Sequence, residues 1–372
     1  MAKYRFDQVA RECRTTFKGD KNGMPIVGLE HLVPNEMLVR DFEVDTENTF
    51  TKSFKQGQIL FGRRRAYQQK AGVAQFDGIC SGDITVIEAI PGKIEPNLLP
   101  FIVQNEQFFE HAVQGSAGSL SPRVKWEHLA SYEIELPTME KQRVLADKLW
   151  TAYRLKESYK KLLAATDEMV KSQFIEMFGE RTTTPVGYYI KDSFPGDWGK
   201  EDLDGTGVKV IRTTNFTNFG KLNLFEVVTR SIEERKIQKK QILKYDTILE
   251  RSGGTADNPV GRVVLFEEDE QYLCNNFTQV LRFKDIDPRF AFYALFYFYQ
   301  MNKTSIRSMG SKTTGIQNLN MSKYLEIGIP NADEDEQKQF VSIAEQADKS
   351  KFELRKSTEA IDRVIKSLIN NV

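Results

Sequence analysis

Two stretches of the chain carry an apolar stripe that advances by alternate steps of four and three residues. In the first, Met139 to Phe178, the stripe runs through Leu145, Leu149, Ala152, Lys156, Tyr159, Leu163, Thr166 and Val170, with no Pro or Gly inside it. Thr138 supplies an N-cap after Pro137, and Gly179 lies where a C′ glycine would close the helix. Roughly forty residues at 1.5 Å each make a rod of about 60 Å, too long to bury its stripe on a small domain. The second stretch provides a partner through Phe340, Ala344, Ala347, Lys351, Leu354, Thr358, Ile361 and Ile365, each 195 positions after its counterpart, with Leu368 continuing the rhythm. Even the off-pattern Lys156 meets Lys351. The entries agree too, Glu140-Lys141-Gln142 against Asp335-Glu336-Gln337, and Asp333 with Glu336 forms a capping box. A shared register of this length predicts two long helices that pack on each other, against the plainer reading of two unrelated surface helices.

The remaining segments read as short strands, turns and shorter helices, in two rounds. In the first round, Ile26–Leu32 is a strand leading into a turn, and Gln58–Phe61 is a second strand. A polar loop from Gly62 to Lys70 precedes a return strand near Val73–Phe76, and Asp77-Gly78 predicts a hairpin there. Ile84–Ile87 is another strand, Asn97–Val113 a helical stretch, and Gly115–Pro122 a small-residue loop. The second round replays the plan with little identity: Val210–Phe216, Thr247–Gly254, Cys274–Thr278, Phe290–Met301, Met309–Gly315 and Ile327–Pro330. The predicted fold is therefore mixed α/β (α+β), a tandem duplication of globule and rod. Its segments are 1–137, 138–180, 181–330 and 331–372. Well-kept rods point to a common geometry; diverged globules point to two different ligands.

Composition narrows the function. The 372 residues leave room for two or three domains with real cores, and 52 basic against 52 acidic residues cancel. A nucleic-acid surface must then be a patch and not a global field. Cys13, Cys80 and Cys274 are scattered and odd in number, which suits a reducing cytoplasm and gives no disulfide framework. The N-terminus lacks an apolar leader, and the most apolar run, Phe290–Phe298, is too short to span a bilayer. The expectation is a soluble cytoplasmic protein with no membrane partner.

Catalytic patterns are few. Gly310-Ser311-Lys312-Thr313 only shadows a P-loop, and no dinucleotide glycine motif follows a strand. His31, His111 and His128 lie far apart in sequence, so neither zinc spacing nor a nucleophile elbow emerges. Asp246 and Glu250 beside Arg251 loosely resemble a nuclease carboxylate pair without the usual Lys, and a strand with polar ends explains them better. No catalytic and no metal-binding residue is expected.

Binding remains. Between Phe61 and Phe76 the chain places Arg63, Arg64, Arg65 and Lys70 with no acid, interleaved with Tyr67, Gln68 and Gln69. Guanidinium forks match guanine or phosphate and Gln matches adenine, so the mixture suits a nucleic-acid groove; a solvated basic turn is the plainer alternative. Ser119 and Arg123, with Lys125, Ser116 and Ser121 nearby, form a second, weaker candidate. In the second globule Arg212, Asn215, Arg251, Ser252, Lys312 and Gln317 occupy the matching places.

Over essentially its whole length the chain resembles the specificity (S, HsdS) subunit of Type I restriction–modification systems. The resemblance is carried by Ile26-Val27-Gly28-Leu29-Glu30, by Ile59 through Lys70, by Phe76 through Ser81, by the Gly115–Trp126 loop, and by Leu136-Pro137 leading to Glu140-Lys141-Gln142. It is closer in the first half than in the second. What it implies is two pseudo-symmetric target-recognition domains, each reading one half of a bipartite site in double-stranded DNA. It also implies an antiparallel coiled coil of the two long helices that holds these domains apart; half-sites about one helical turn apart, near 34 Å, are compatible with a rod of this size. The subunit itself does no chemistry. It docks two methyltransferase (M) subunits, which methylate adenine with S-adenosylmethionine, and restriction (R) subunits using ATP and Mg can join that core. A target adenine leaves the stack to be methylated. Two other classes stay open: a protein-binding scaffold with duplicated domains, and a nuclease with a dispersed site.

Overall fold

The computed structural model describes residues 2–118, 120–255, 257–313 and 316–370. Contacts divide it into two compact units, residues 1–162 with 353–372 and residues 163–352.

The first unit is built on a five-stranded sheet ordered Ala10–Cys13, Ile84–Ala89, Ile59–Gly62, Ala71–Ala74, Leu38–Val39, antiparallel except for its last pair. Its central strands are apolar on both faces because both faces are covered. Ile59, Phe61, Val73 and Ile87 join a cluster with the helices α1 (Leu99–Val103), α2 (Glu106–Gln114) and α3 (Trp126–Ala130). The alternate residues Leu60, Ala74, Ile84 and Val86 pack instead against Val27, Phe54 and Cys80 of a small second sheet, Ile26–Val27, Gly78–Cys80 and Lys52–Phe54. Ala2–Arg5 pairs with Glu133–Leu136 and delivers the chain to α4 (Met139–Phe178).

The second unit repeats these layers. Thr247–Glu250, Val263–Leu265, Thr278–Phe283 and Ile190–Pro195 form the central sheet. Leu249, Val263 and Leu281 face the helices, whereas Ile248, Val264 and Val280 face Ile211, Phe216 and Cys274. Its shorter helices are α5 (Glu234–Lys240), α6 (Pro288–Met301), α7 (Lys303–Ser308) and α8 (Met321–Leu325), before α9 (Glu334–Ile369). Both units contain the same short parallel pair, Val27 beside Cys80 in one and Ile211 beside Cys274 in the other. Both close with a tie between their first and last strands, Thr183–Pro185 on Gly328–Pro330 in the second.

Within each unit the long helices pack on one another in opposite directions. In the first unit Leu145, Trp150, Ile365, Leu368 and Ile369 border the core that holds Ala146, Leu149 and Tyr153. In the second, Phe340 meets Phe174 and Phe178 at ring-centroid distances of 5.2 and 5.8 Å, beside Val170, Ala344 and Ala347. The polar seam positions pair across the helices: Lys156 Nζ lies 2.5 Å from Asp362 Oδ1, and Lys351 Nζ lies 2.7 Å from Asp167 Oδ1. The remaining seam residues Ala152, Tyr159, Leu163, Leu354 and Ile361 are half-buried. The helices also bury Ala146, Tyr153, Phe174, Phe178 and Val341 in the globular cores, which the seam alone did not mark.

Each long helix is locked by a glutamine at the same register. Gln142 Oε1 accepts from Glu95 N and its amide donates to Pro137 O, both at 2.9 Å. Gln337 Oε1 accepts from Asp287 N and its amide donates to Ala332 O, again at 2.9 Å. The capping box of Asp333 and Glu336 forms as expected.

Four local expectations differ. Asp77-Gly78 makes no hairpin: the chain there leaves one sheet for the other, and a Cβ at Gly78 would lie 2.5 Å from Pro25 O. The 97–113 stretch breaks into α1 and α2, because the Asn105 side chain caps Gln107 N and restarts the helix. The Gly115–Pro122 loop includes a two-residue strand, Ser116–Ala117 on Arg123–Val124. Gly179 does not adopt the left-handed C′ conformation; its value is close approach, since a Cβ would lie 2.6 Å from Ile175 O.

Candidate nucleic-acid interface

In the first unit the basic loop is a fixed structure. Arg65 and Gln69 both take left-handed backbone (φ 55° and 52°) around a single 3-10 turn, Ala66–Gln68. Such a conformation is costly for non-glycine residues and persists only where neighbours hold it. Ala66 is buried at the turn, and Lys70 Nζ donates to Leu29 O at 2.7 Å. Lys70 therefore spends its ammonium on anchoring the loop. Tyr67 is 58% exposed, and the side chains of Tyr67, Gln68 and Gln69 make no hydrogen bond among the described residues.

The same loop is zipped to residues 122–124. Arg65 N donates to Pro122 O at 2.8 Å and Val124 N to Arg63 O at 2.9 Å, which sets Arg64 opposite Arg123. Asp83 makes the pair of cations tolerable. It accepts the Arg123 fork at 2.6 and 3.2 Å, lies 3.6 Å from Arg64, and its carbonyl accepts from Arg63 N at 2.9 Å. The hydrogen bond from Arg123 outweighs burial and, with Arg64 and Arg63, holds the Asp83 carboxyl below its ordinary range. Ser121 Oγ takes the Nε of Arg64. Three guanidiniums around one carboxylate leave a net positive patch. The Nε–H groups of Arg63 and Arg65 are buried with no acceptor among the described residues, a cost that an incoming anion or base acceptor would relieve. Arg63 and Lys125 line a 760 Å³ cleft with Ser81, Thr51 and Trp126. Ser119 lies outside the described residues.

The second unit gathers four of its six expected residues. A three-stranded sheet of Ser252–Gly253, Ile316–Leu319 and Gly310–Thr313 sets Ser252 opposite Asn318 and Gly253 opposite Gln317, joins Arg251 O to Leu319 N at 2.8 Å, and pairs Lys312 with Gln317 along the backbone. Ser252 is buried and its hydroxyl donates to Asn318 Oδ1 at 2.7 Å, so it supports the sheet. Arg251 Nη1 lies 3.5 Å from Gln279 Oε1. Asn215 is not presented to any ligand. Its Oδ1 accepts from Arg212 N at 2.9 Å, its amide donates to Asn223 O and Glu226 O, and only 5% of it is exposed. The equivalent turn of the first unit is closed by His31 Nδ1 accepting from Gly28 N at 2.9 Å. Arg212 itself carries a buried Nε–H with no acceptor among the described residues.

The acids Asp246 and Glu250 are both neutralised. Arg282 lies 2.7 Å from Asp246 and Arg262 2.7 Å from Glu250, with both carboxylates almost fully buried. Such pairs hold strands together and leave no carboxylate free for a metal. Among the described residues no cluster of His, Cys, Asp and Glu could hold a metal ion, and no helix is long and apolar enough to cross a membrane. Asp83, which gathers the arginines of the first unit, and Arg262, which pairs with Glu250, were not singled out from sequence. Asp83 lies 40 positions from Arg123, and no local spacing signals that pairing.

The architecture defines a class: a duplicated α/β protein with paired long helices, a held basic loop in its first copy, and among the described residues no cluster that could hold a metal ion. The family model for the Type I restriction modification DNA specificity domain matches residues 9–165 and again 194–362. The chain belongs to that family, with one copy of the domain in each half. It is 24% identical over 191 residues to the Type I restriction enzyme EcoDI specificity subunit of Escherichia coli, a match covering 48% of this chain and 41% of that relative. The matched region thus spans about two fifths of the relative's length. The fold is similar to that of the Type I restriction-modification S subunit from M. genitalium (TM-score 0.57, 14% identity, covering 99% of this chain and 94% of that one). It is also similar to a chain solved in work on complex assembly and conformational transition of the type I R-M system (TM-score 0.57, 15% identity, covering 99% and 96%).

Proposed function

We propose that this chain is the sequence-reading subunit of a Type I restriction–modification complex. The first unit reads one half of a bipartite duplex site through Arg63, Arg64, Arg65, Tyr67, Gln68 and Arg123. The second reads the other half through Arg212, Arg251, Lys312 and Gln317. The observation that carries this reading is the three-guanidinium patch around Asp83, set on a strained but pinned loop within a family of DNA specificity domains. Pinned arginines suit base edges and phosphates, because little side-chain entropy is lost on contact. In this reading two adenine methyltransferase subunits dock on the chain, bring S-adenosylmethionine, and recruit ATP- and Mg-dependent restriction subunits.

The test is reconstitution with the methyltransferase partner, followed by mapping of methylated adenines. A bipartite asymmetric motif that disappears without this chain is expected. Methylation that is independent of the chain, or a chain that binds polypeptide and no DNA, overturns the proposal.

A further inference from the structure

The second unit contains a cavity of 280 Å³ between α6, the loop around Gly220 and the two long helices. None of the expected DNA-contacting residues lines it. We propose that this cavity binds a neutral, planar heteroaromatic molecule of about nucleobase size, which packs on Phe296 and hydrogen-bonds the Tyr297 hydroxyl.

One wall is aromatic. Phe292 and Phe296 stack at 5.8 Å and Tyr293 and Tyr297 at 6.3 Å, each pair one turn apart on α6. The wall is approached closely by the loop only because Gly220 has φ +73° and no side chain; a Cβ there would lie 2.7 Å from Phe292. The volume falls just below the range of drug-sized ligand sites and fits a smaller, flat molecule.

The polar lining selects for neutrality. Lys221 bridges Asp348 at 2.8 Å and Glu267 at 2.6 Å, and Lys351 bridges Asp167 at 2.7 Å and Asp348 at 2.9 Å. Burial opposes the charge on Asp348, but Lys221 and Lys351 overcome it and hold the carboxyl below its ordinary range. A charged ligand would have to break one of these pairs at a desolvation cost. One polar group remains without a partner. Tyr297 is only 6% exposed, lines the cavity, and its hydroxyl makes no hydrogen bond among the described residues. Its neighbours on α6 are bonded: Tyr299 donates to Pro259 O at 2.9 Å, and Tyr293 reaches Asp348 at 3.4 Å. Burial pushes the Tyr297 phenol up, so it remains a donor at ordinary pH. Asn218 and Gln300 are also on the lining; Asn218 Oδ1 accepts from Arg262 at 3.5 Å and the Gln300 amide donates to Asn218 O at 3.2 Å, which leaves the Asn218 N–H groups and Gln300 Oε1 to pair with the donor–acceptor edge of a heterocycle.

The test titrates the full chain with adenine, followed by ligand-observed NMR and calorimetry, with benzoate as the charged control. One saturable adenine site per chain is expected, without competition from benzoate. Tyr297→Phe should weaken adenine binding about three- to tenfold, the worth of one hydrogen bond, and Phe296→Ala should weaken it further. Tyr297→Phe keeps the ring and thus the packing, and circular dichroism checks both variants. No saturable binding up to roughly 10 mM, or equal binding by both variants and the parent, overturns the proposal. DNA binding, measured in parallel, is expected to be unchanged in Tyr297→Phe, so failure here is distinguishable from failure of the DNA reading.

Discussion

Arg64 and Arg123 lie opposite one another on adjacent backbones, an arrangement that like charges oppose unless a counter-charge sits between them. Asp83 is that counter-charge. Asp83→Asn is expected to raise salt-sensitive, non-specific DNA affinity while lowering discrimination between cognate and mismatched sites. Competition gel shifts at two salt concentrations read both. The pH dependence has a definite sign. Because the folded-state carboxyl is held below 3.8, its contribution is present above the ordinary aspartate range and is lost only as the pH falls through the depressed folded value. A plateau from neutrality down to that range, seen by acid titration of the fold, is the expected result. Asn215 behaves oppositely to a reading residue. Asn215→Ala leaves a buried N–H and two carbonyls unmatched and should cost about 1–3 kcal/mol in chemical denaturation. The DNA affinity of the folded fraction should not move.

The two long helices are held to their globules by the same device used twice. Gln142 and Gln337 each join a backbone N–H of a preceding segment to a carbonyl five residues upstream, at equal distances. Gln337→Leu is expected to destabilise by about 1–3 kcal/mol, because the N–H of Asp287 loses its acceptor in a half-buried site. Phe340→Ala should cost more, about 3–5 kcal/mol, since the ring is fully buried between Phe174, Phe178 and Phe290. Calorimetric or denaturant unfolding measures both. By contrast, Lys156→Ala removes a partly exposed ion pair and should change stability by less than about 1 kcal/mol.

The whole chain couples two similar scaffolds to two unlike surfaces, with a net charge of zero. In the first unit Arg64 and Arg123 pair with Asp83, with Arg63 close by; in the second a three-stranded sheet carries Lys312 and Gln317, with Arg251 just before its first strand. Arg63→Ala with Arg65→Ala is expected to relax one half of the methylated motif, and Arg251→Ala the other half. Methylome sequencing of the reconstituted complexes separates them. Each lost phosphate contact should also lower the salt slope of DNA binding by about 0.9.

The long helices were legible because their signal is periodic and local. Seam residues recur every three or four positions, and their 195-residue offset exposes the duplication without any knowledge of the fold. The repeated strand order followed for the same reason, since Val27 beside Cys80 and Ile211 beside Cys274 occupy equivalent places in two copies of one pattern. Only the tertiary structure decided which basic and amide side chains are available. Lys70 is spent on Leu29, Arg262 on Glu250 and Asn215 on its own turn, whereas Arg63, Arg65 and Arg212 keep unmatched N–H groups. Those allocations join residues tens of positions apart, through the path of the backbone across two sheets. A pattern of neighbours along the chain contains no distance between them.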